Sequence, residues 1–303
     1  MSFCSCGGSL NSGTPSKQRF IEDGSILVAV QYIADDGTYN QIAKGDVIDQ
    51  AYIDALINHP DLSKRWIPYG SFINVDESRA DPITESFSDG SSVVVQNSPR
   101  VWSGLLNNYS PQYISNLGAQ RCQDFGLFVI NDCGGLQGSV TADGEFLRPI
   151  RVNNGSWYPN YIKKTDTVSA KVSLSFEFSQ LENDASLRVI EKEEMDGVDL
   201  TTIRGLLDVT PTISGESTTG FVADLEIKFD TFLTASKVVA KGWVLADFDL
   251  KLKSDNSTII ITSVDEAPDG TYTFVIPTQA SAAVLILTTV KAGFYLKTEI
   301  TIP

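Results

Sequence analysis

The sequence almost lacks histidine: His59 is the only one among 303 residues. Histidine is the commonest general base in enzymes and the commonest metal ligand in proteins. Neither a G-x-S-x-G nucleophile motif nor a zinc-ligand spacing offsets this shortage. We therefore predict a protein that is not an enzyme. We assign no catalytic, cofactor-binding or metal-ligating residue, and we expect no cofactor.

Basic residues are also scarce, with 23 Lys and Arg against 38 Asp and Glu, for a net charge of −15. A conventional nucleic-acid-binding protein carries a basic footprint, so this composition argues against one. An acidic surface can nevertheless face DNA without adhering to it, because like charges repel. The composition allows transient contact with DNA but not tight binding.

Long apolar runs are missing as well, although apolar residues make up 42% of the sequence. No stretch reaches the length of about 18 residues that a membrane-spanning helix needs. The first residues, MSFCSCGGSLNSGTPSKQ, contain no apolar segment of a secretion signal. We expect a protein without a signal peptide that is made in the cytoplasm and does not insert into a membrane. Residues 1–20 are predicted to form an N-terminal extended arm.

The few cysteines do not form a metal-ligand pattern. They are Cys4, Cys6, Cys122 and Cys133, and neither the Cys-x-Cys pair nor the later spacing matches a zinc site. Two states remain open for them. The spacing favours free thiols, and one or two disulfides are the alternative.

The clearest positive pattern is the strict alternation of VSAKVSLSFEFSQ at residues 168–180, which we call the wall strand. Successive side chains of a strand point to opposite faces, so this segment has a dry face and a wet face. Its length would be about 40 Å, roughly twice that of an ordinary strand. So much strand edge in a chain without catalytic motifs predicts the backbone of an assembled wall. The dry-face residues assigned to this role are Val168, Val172, Leu174, Phe176 and Phe178.

The N-terminal part of the chain also contains two predicted helices, near residues 46–58 and 111–121. Asp46 is the candidate N-cap of the first helix, and Ser110-Pro111 is a typical cap and first position for the second. The remaining segments favour strands and turns. Residues 21–205 are therefore predicted to be an α+β domain, in which a β-sandwich or barrel-forming sheet carries one or two helices.

Residues 206–303 predict a second domain, an immunoglobulin-like β-sandwich with Trp243 in its core. Short alternating strands and turns such as Asp269-Gly270 fill this part of the chain, without a helical pattern. The predicted strands cover residues 209–213, 221–229, 237–243, 248–252, 258–262, 271–276, 283–287 and 294–300. Together the two domains predict a mainly β fold class.

Six Trp and Tyr residues allow two interpretations. They could form a sugar-binding platform, or they could lie in a core or a subunit interface, where these residue types are enriched. The second interpretation is favoured. The residues are Trp102, Tyr109, Tyr113, Trp157, Tyr158 and Tyr161.

Three segments carry a resemblance to a known family: CQDFGLFVINDCGGLQG at 122–138, the wall strand, and VDEAPDGTYTFVI at 264–276. They resemble the tail tube (major tail) proteins of tailed bacteriophages. The layout is similar over the whole chain: a mixed N-terminal β domain, a very long amphipathic strand and a C-terminal immunoglobulin-like domain. The resemblance implies a structural virion protein, a tail tube subunit that forms the channel for DNA ejection.

The resemblance also implies the partners. Copies of the chain would associate in homohexameric rings, the rings would stack into a tube, and sheath or other tail proteins are further candidates. Contact with DNA in the lumen would be transient, without stable binding. The protein would reside in the virion after synthesis in the host cytoplasm. No residue of this family is catalytic, so none is carried over. The alternative is a carbohydrate- or receptor-binding tail or surface protein that uses its C-terminal immunoglobulin-like domain.

Overall fold

The structure is a computed structural model that describes residues 24–79, 81–107, 111–167, 169–182, 184–227, 238–291 and 293–303. The predicted mainly β fold class is confirmed. The chain divides into two compact units, Met1–Gly205 and Leu206–Pro303. The predicted N-terminal arm at residues 1–20 lies outside the described residues.

The described part of unit 1 contains two helices, α1 (Gln50–Ile57) and α2 (Pro111–Ala119). Its strands are β1 (Gly24–Gln31), β2 (Ile42–Ala43), β3 (Ile67–Pro68), β4 (Ile73–Arg79), β5 (Ile83–Ser86), β6 (Ser92–Gln96), β7 (Arg100–Asn107), β8 (Phe125–Asn131), β9 (Leu136–Val140), β10 (Phe146–Arg148), β11 (Ile150–Arg151), β12 (Tyr158–Ile162), β13 (Lys171–Glu177) and β14 (Leu187–Ile190).

The first sheet of unit 1 has eight strands in the order β2-β10-β9-β8-β1-β3, with β11 on β8 and β14 on β9. Strand β8 lies inside this sheet, antiparallel to β1. All seven of its residues are buried, which explains why FGLFVIN is a nearly continuous apolar run rather than an alternating one. This strand anchors the first sheet in the core.

The second sheet has the order β12-β13-β7-β4, so the wall strand is an internal strand. Its regular part, β13, spans Lys171–Glu177, shorter than predicted. Phe178 adds only an isolated bridge to Val152. The N–H of Ser179 then donates to the Arg151 carbonyl at 2.8 Å, and the chain turns at Gln180. The predicted length is therefore wrong at this end.

The first and second sheets of unit 1 share one hydrophobic core, which contains the aromatic ring of Phe176. This ring stacks on Trp102 with centroids 5.1 Å apart and packs against Trp157 at the same distance. The indole N–H of Trp157 donates to the Leu117 carbonyl at 2.7 Å, which fixes α2 against the sheet. All three aromatic side chains are buried, as is Leu117.

Helix α1 begins later than predicted, because Asp49 rather than Asp46 is its N-cap. The Asp49 carboxylate accepts from the Tyr52 N–H at 2.7 Å. Asp46 instead accepts from the Ala43 N–H at 2.9 Å and from the Tyr52 hydroxyl at 3.0 Å, which holds it in the preceding turn. Helix α2 begins at Pro111, and the predicted cap Ser110 lies outside the described residues.

The cysteines differ from one another in state. Cys133 is disulfide-bonded, so the favoured prediction of a free thiol is wrong at this position. Cys122 is a free, exposed thiol, as predicted. Cys4 and Cys6 lie outside the described residues.

The described part of unit 2 contains two sheets that enclose a second core, the layout of a β-sandwich. One sheet has the order β19-β20-β16-β15-β22 with β17 on β16, and the other has the order β18-β21-β23. The described strands are β15 (Leu207–Ser217), β16 (Gly220–Ile227), β17 (Val238–Val239), β18 (Phe248–Leu252), β19 (Ser263–Glu266), β20 (Thr271–Val275), β21 (Val284–Thr289), β22 (Phe294–Tyr295) and β23 (Lys297–Thr301).

Trp243 is buried in the core of unit 2, as predicted. Its backbone N–H donates to the Tyr272 hydroxyl at 3.2 Å, and that hydroxyl donates to the Ala240 carbonyl at 2.8 Å. The predicted strand at 258–262 is wrong. Only Thr258 makes a bridge there, and the next strand begins at Ser263.

The aromatic stack predicts the effect of removing its central ring. Phe176→Ala is expected to lower the free energy of unfolding of unit 1 by about 3–5 kcal/mol, because it deletes a buried phenyl group between two tryptophans. Denaturant unfolding followed by tryptophan fluorescence measures this loss. Ser175→Ala, on the half-buried opposite face of β13, is the control and should change stability little. A loss below about 1 kcal/mol for Phe176→Ala would contradict the central place of this ring.

Candidate assembly surface

The dry face of the wall strand lies inside its own subunit. Val172, Leu174, Phe176 and Phe178 are at most 2% exposed and belong to the core of unit 1. Val168 lies outside the described residues. These side chains are thus placed to support a wall from within rather than to touch a neighbouring copy. Their role in an assembled wall stays a prediction.

The edges of the wall strand are also occupied. Strand β12 pairs with one edge of β13 from Tyr158 to Ile162, and β7 pairs with the other edge from Val101 to Asn107. The expectation that this strand leaves a long unpaired edge is therefore wrong. Any surface for self-association must be sought on other elements.

Strands β5 and β6 form such an element, a separate two-stranded sheet that we call the hairpin arm (residues 83–96). It follows the point where β4 and β7 stop pairing, at Arg79 opposite Arg100. Every residue of the arm is exposed. Among the described residues, no third strand pairs with it, so both outer edges keep unpaired backbone groups. Such edges are templates for pairing with another chain.

The hairpin arm exposes large apolar side chains that its own subunit does not cover. The exposed fractions are 58% for Ile83, 46% for Phe87, 54% for Val93, 51% for Val94 and 61% for Val95. A lone two-stranded hairpin is marginally stable in water, and grouped exposed apolar side chains mark interaction sites. The arm is therefore the strongest candidate surface for a protein partner in the described part of unit 1.

The tip of the arm is an ordered turn. Asp89 accepts from the Ser91 N–H at 2.9 Å and from its hydroxyl at 2.6 Å. Gly90 has a φ of +84°, the left-handed conformation that favours glycine. The hydrogen bonds from Ser91 hold the pKa of the Asp89 carboxyl below its usual range. The tip thus presents a charged carboxylate beside the exposed ring of Phe87.

The hairpin arm carries acidic but no basic side chains. Residues 81–97 contain Asp81, Glu85 and Asp89 and no Lys or Arg. The root of the arm has a different chemistry, since Arg79 and Arg100 flank it. The arm therefore has an acidic tip and a root lined by two arginines.

A cavity of about 440 Å³, the root pocket, lies at this root. Its lining includes Arg79, Pro99, Arg100, Phe178, Leu181 and Glu182. The guanidinium of Arg100 lies 4.5 Å from the ring centroid of Phe178, and its Nε is 2.8 Å from the Glu77 carboxylate. The side chain of Leu181 is 84% exposed at the rim.

Two hydrogen bonds hold the root in place. The Ser98 hydroxyl donates to the Asp81 carbonyl at 2.8 Å, so the two ends of the arm lie close together. The amide of Gln96 reaches the side-chain oxygen of Gln180 at 3.5 Å, which connects β6 to the segment after β13. The root pocket is thus built by the ends of the arm and by the chain leaving the wall strand.

The aromatic platform considered as an alternative does not assemble. Trp102 and Trp157 are fully buried, which confirms the favoured prediction of a core position for them. Tyr113 packs against the same core. Only Tyr158 and Tyr161, on edge strand β12, are exposed, and Tyr109 lies outside the described residues.

Other features of the described residues add no site. His59 lies just after α1, where its Nδ1 accepts from the Asp61 N–H at 3.1 Å and shapes the turn. Across the described ranges, no three potential metal-ligating side chains cluster together. No helix in those ranges is long and apolar enough to cross a bilayer.

The chain matches no protein-family model and no curated protein. The function of the chain is therefore inferred from the geometry of the hairpin arm, the root pocket and the two cores.

The exposure of the arm predicts where a protease cuts first. Chymotrypsin should cleave the unassembled protein after Phe87 before it cleaves at core aromatics, because the tip is exposed and Phe176 is buried. Mass spectrometry of a short digestion gives the site. Early cleavage after Phe176, with Phe87 intact, is the opposite result and would mean that the tip is covered within the monomer.

Proposed function

We propose that this chain is a structural virion protein, a tail tube subunit whose copies associate in rings that stack to form the DNA-conducting channel of a phage tail. The observation that carries the proposal is the hairpin arm. It combines exposed β-branched side chains with two unpaired strand edges, and no described part of its own subunit covers them. Self-association buries such a surface.

The core of unit 1 supports the same proposal. A subunit in a tube must keep its shape while its surface contacts several neighbours. The wall strand is paired on both edges and packed around Phe176, so it forms a rigid support next to the base of the arm. The arm then contacts neighbours without disturbing the core.

The charge of the chain is compatible with a DNA channel. A net charge of −15 disfavours contact with phosphate groups, because binding to the DNA backbone depends on Lys and Arg. A surface of this kind allows DNA to slide past without being held. The proposal therefore includes transient DNA passage and no stable complex.

Removal of the arm tests the proposal. The close approach of Asp81 and Ser98 allows an Asn-Gly turn to replace residues 83–96. The full-length protein should form rings or tubes at high concentration in negative-stain microscopy. The shortened variant should sediment as a monomer, with a circular dichroism spectrum that differs only by the loss of β5 and β6. Persistent monomers of the full-length protein would contradict the proposed function.

A milder variant checks that the apolar side chains matter. Val93 and Val95 lie on one face of β6, since they are two residues apart. Val93→Ser together with Val95→Ser should weaken assembly, because it removes exposed methyl groups while retaining the hairpin. Ile260→Ser, at a position of unit 2 that is 78% exposed, is the matched control and should assemble normally. If both variants lose assembly to the same extent, general surface polarity, rather than the arm, governs assembly.

A further inference from the structure

We propose that the tip of one hairpin arm docks into the root pocket of a second copy of the chain, in a head-to-tail contact. The inference rests on the self-association proposed above and specifies which surfaces meet. The tip contributes Phe87 and Asp89, and the pocket contributes Leu181 and Arg79 as their counterparts.

The tip does not reach the pocket of its own chain. Eight residues separate Arg79 at the root from Phe87, a distance of about 26 Å for an extended strand. The pairing of β5 with β6 continues to Ser86 opposite Ser92, close to the tip, and keeps the arm extended. A tip that enters this pocket must therefore come from another copy.

The apolar parts of the two surfaces match. Phe87 is 46% exposed at the tip, and Leu181 is 84% exposed at the rim of the pocket. Pro99 and Phe178 line the interior. A cavity of about 440 Å³ lies within the usual range for small binding pockets, and a phenyl ring with a neighbouring carboxylate fits such a volume. Docking would remove the ring and the leucine from water together.

The charges also match. The tip carries the Asp89 carboxylate in an arm without Lys or Arg, and the pocket carries two guanidinium groups. Arginine binds carboxylates through charge-assisted hydrogen bonds. Glu182 also lines the pocket, and its carboxylate already accepts from the Arg151 N–H at 3.2 Å. Arg79 is exposed, so it is the residue to vary.

The contact is of the heterologous kind. It joins two different surfaces, so each copy keeps a tip for the next copy and a pocket for the previous one. Repetition of such a contact gives a closed ring when the rotation closes and a filament when it does not. Both outcomes are compatible with a tube.

A charge exchange tests the contact. Asp89→Arg places arginine against arginine, and Arg79→Asp places carboxylate against carboxylate, so each variant alone should need a protein concentration at least about tenfold higher to assemble. In an equimolar mixture, every tip of one variant meets a pocket of the other with opposite charge. The mixture should therefore assemble nearly as well as the unmodified protein, as measured by sedimentation velocity.

The control for Asp89→Arg is Asp269→Arg in unit 2. Asp269 occupies a similar turn, where it accepts from the Thr271 N–H at 3.0 Å and precedes Gly270 with a φ of +86°. This variant carries the same charge change and the same turn damage in unit 2. It should assemble normally.

The outcomes separate this inference from the proposed function. If the unmodified protein assembles but both single variants assemble equally well, tip-to-pocket docking is wrong and the proposed function stands. A mixture that stays monomeric while each single variant is blocked would also contradict docking. If the unmodified protein itself stays monomeric at every concentration, the proposed function is wrong, and the docking contact that depends on it is wrong as well.

Discussion

The packing of Phe176 between Trp102 and Trp157 is the interaction on which the rest of unit 1 depends. It turns the dry face of β13 inward and joins the two sheets in one core. Since β12 and β7 occupy both edges of β13, this strand has no unpaired edge with which another copy could pair. The proposed contacts with other copies would therefore come from elements outside the core, and the hairpin arm is such an element.

The hairpin arm adds little to the stability of its own unit, and the proposed assembly would bury it. Its exposed valines, isoleucine and phenylalanine contribute nothing to the core of their own unit, and its outer backbone groups have no strand partner among the described residues. Burial of apolar surface and pairing of strand edges stabilise an assembly in the same way that they stabilise a fold. A subunit that forms its core alone but leaves its arm uncovered is suited to polymerise after folding.

Much of the strand content could be predicted from the sequence, because alternation reports directly on burial. The strand Phe248–Leu252 has the predicted bounds, and the inward parity of the wall strand is also as predicted. Its length was not predictable, since the alternation continues to Ser179 while a tertiary hydrogen bond from Ser179 to Arg151 turns the chain there. Likewise, Asp46 and Asp49 are both good N-caps, and contacts with Ala43 and Tyr52 decide between them.

The candidate site was only partly visible in the sequence. The turn signal Asp89-Gly90 precedes the apolar run at residues 93–95. The segment ITES, which pairs with this run, is polar and follows Pro82, so its sequence is typical of a loop. The run of three valines indicates a strand without indicating whether anything covers it, because burial depends on distant parts of the chain. The root pocket was not predictable either, since it joins residues from Arg79 to Glu182.

The most direct test of the central claim is hydrogen exchange of the backbone amides of residues 83–96 in assembled and monomeric protein. If assembly covers the arm, these amides should exchange at least about tenfold more slowly in the assembled state, whereas the buried strand Phe125–Asn131 should be equally protected in both. Equal exchange of the arm in the two states would contradict the account.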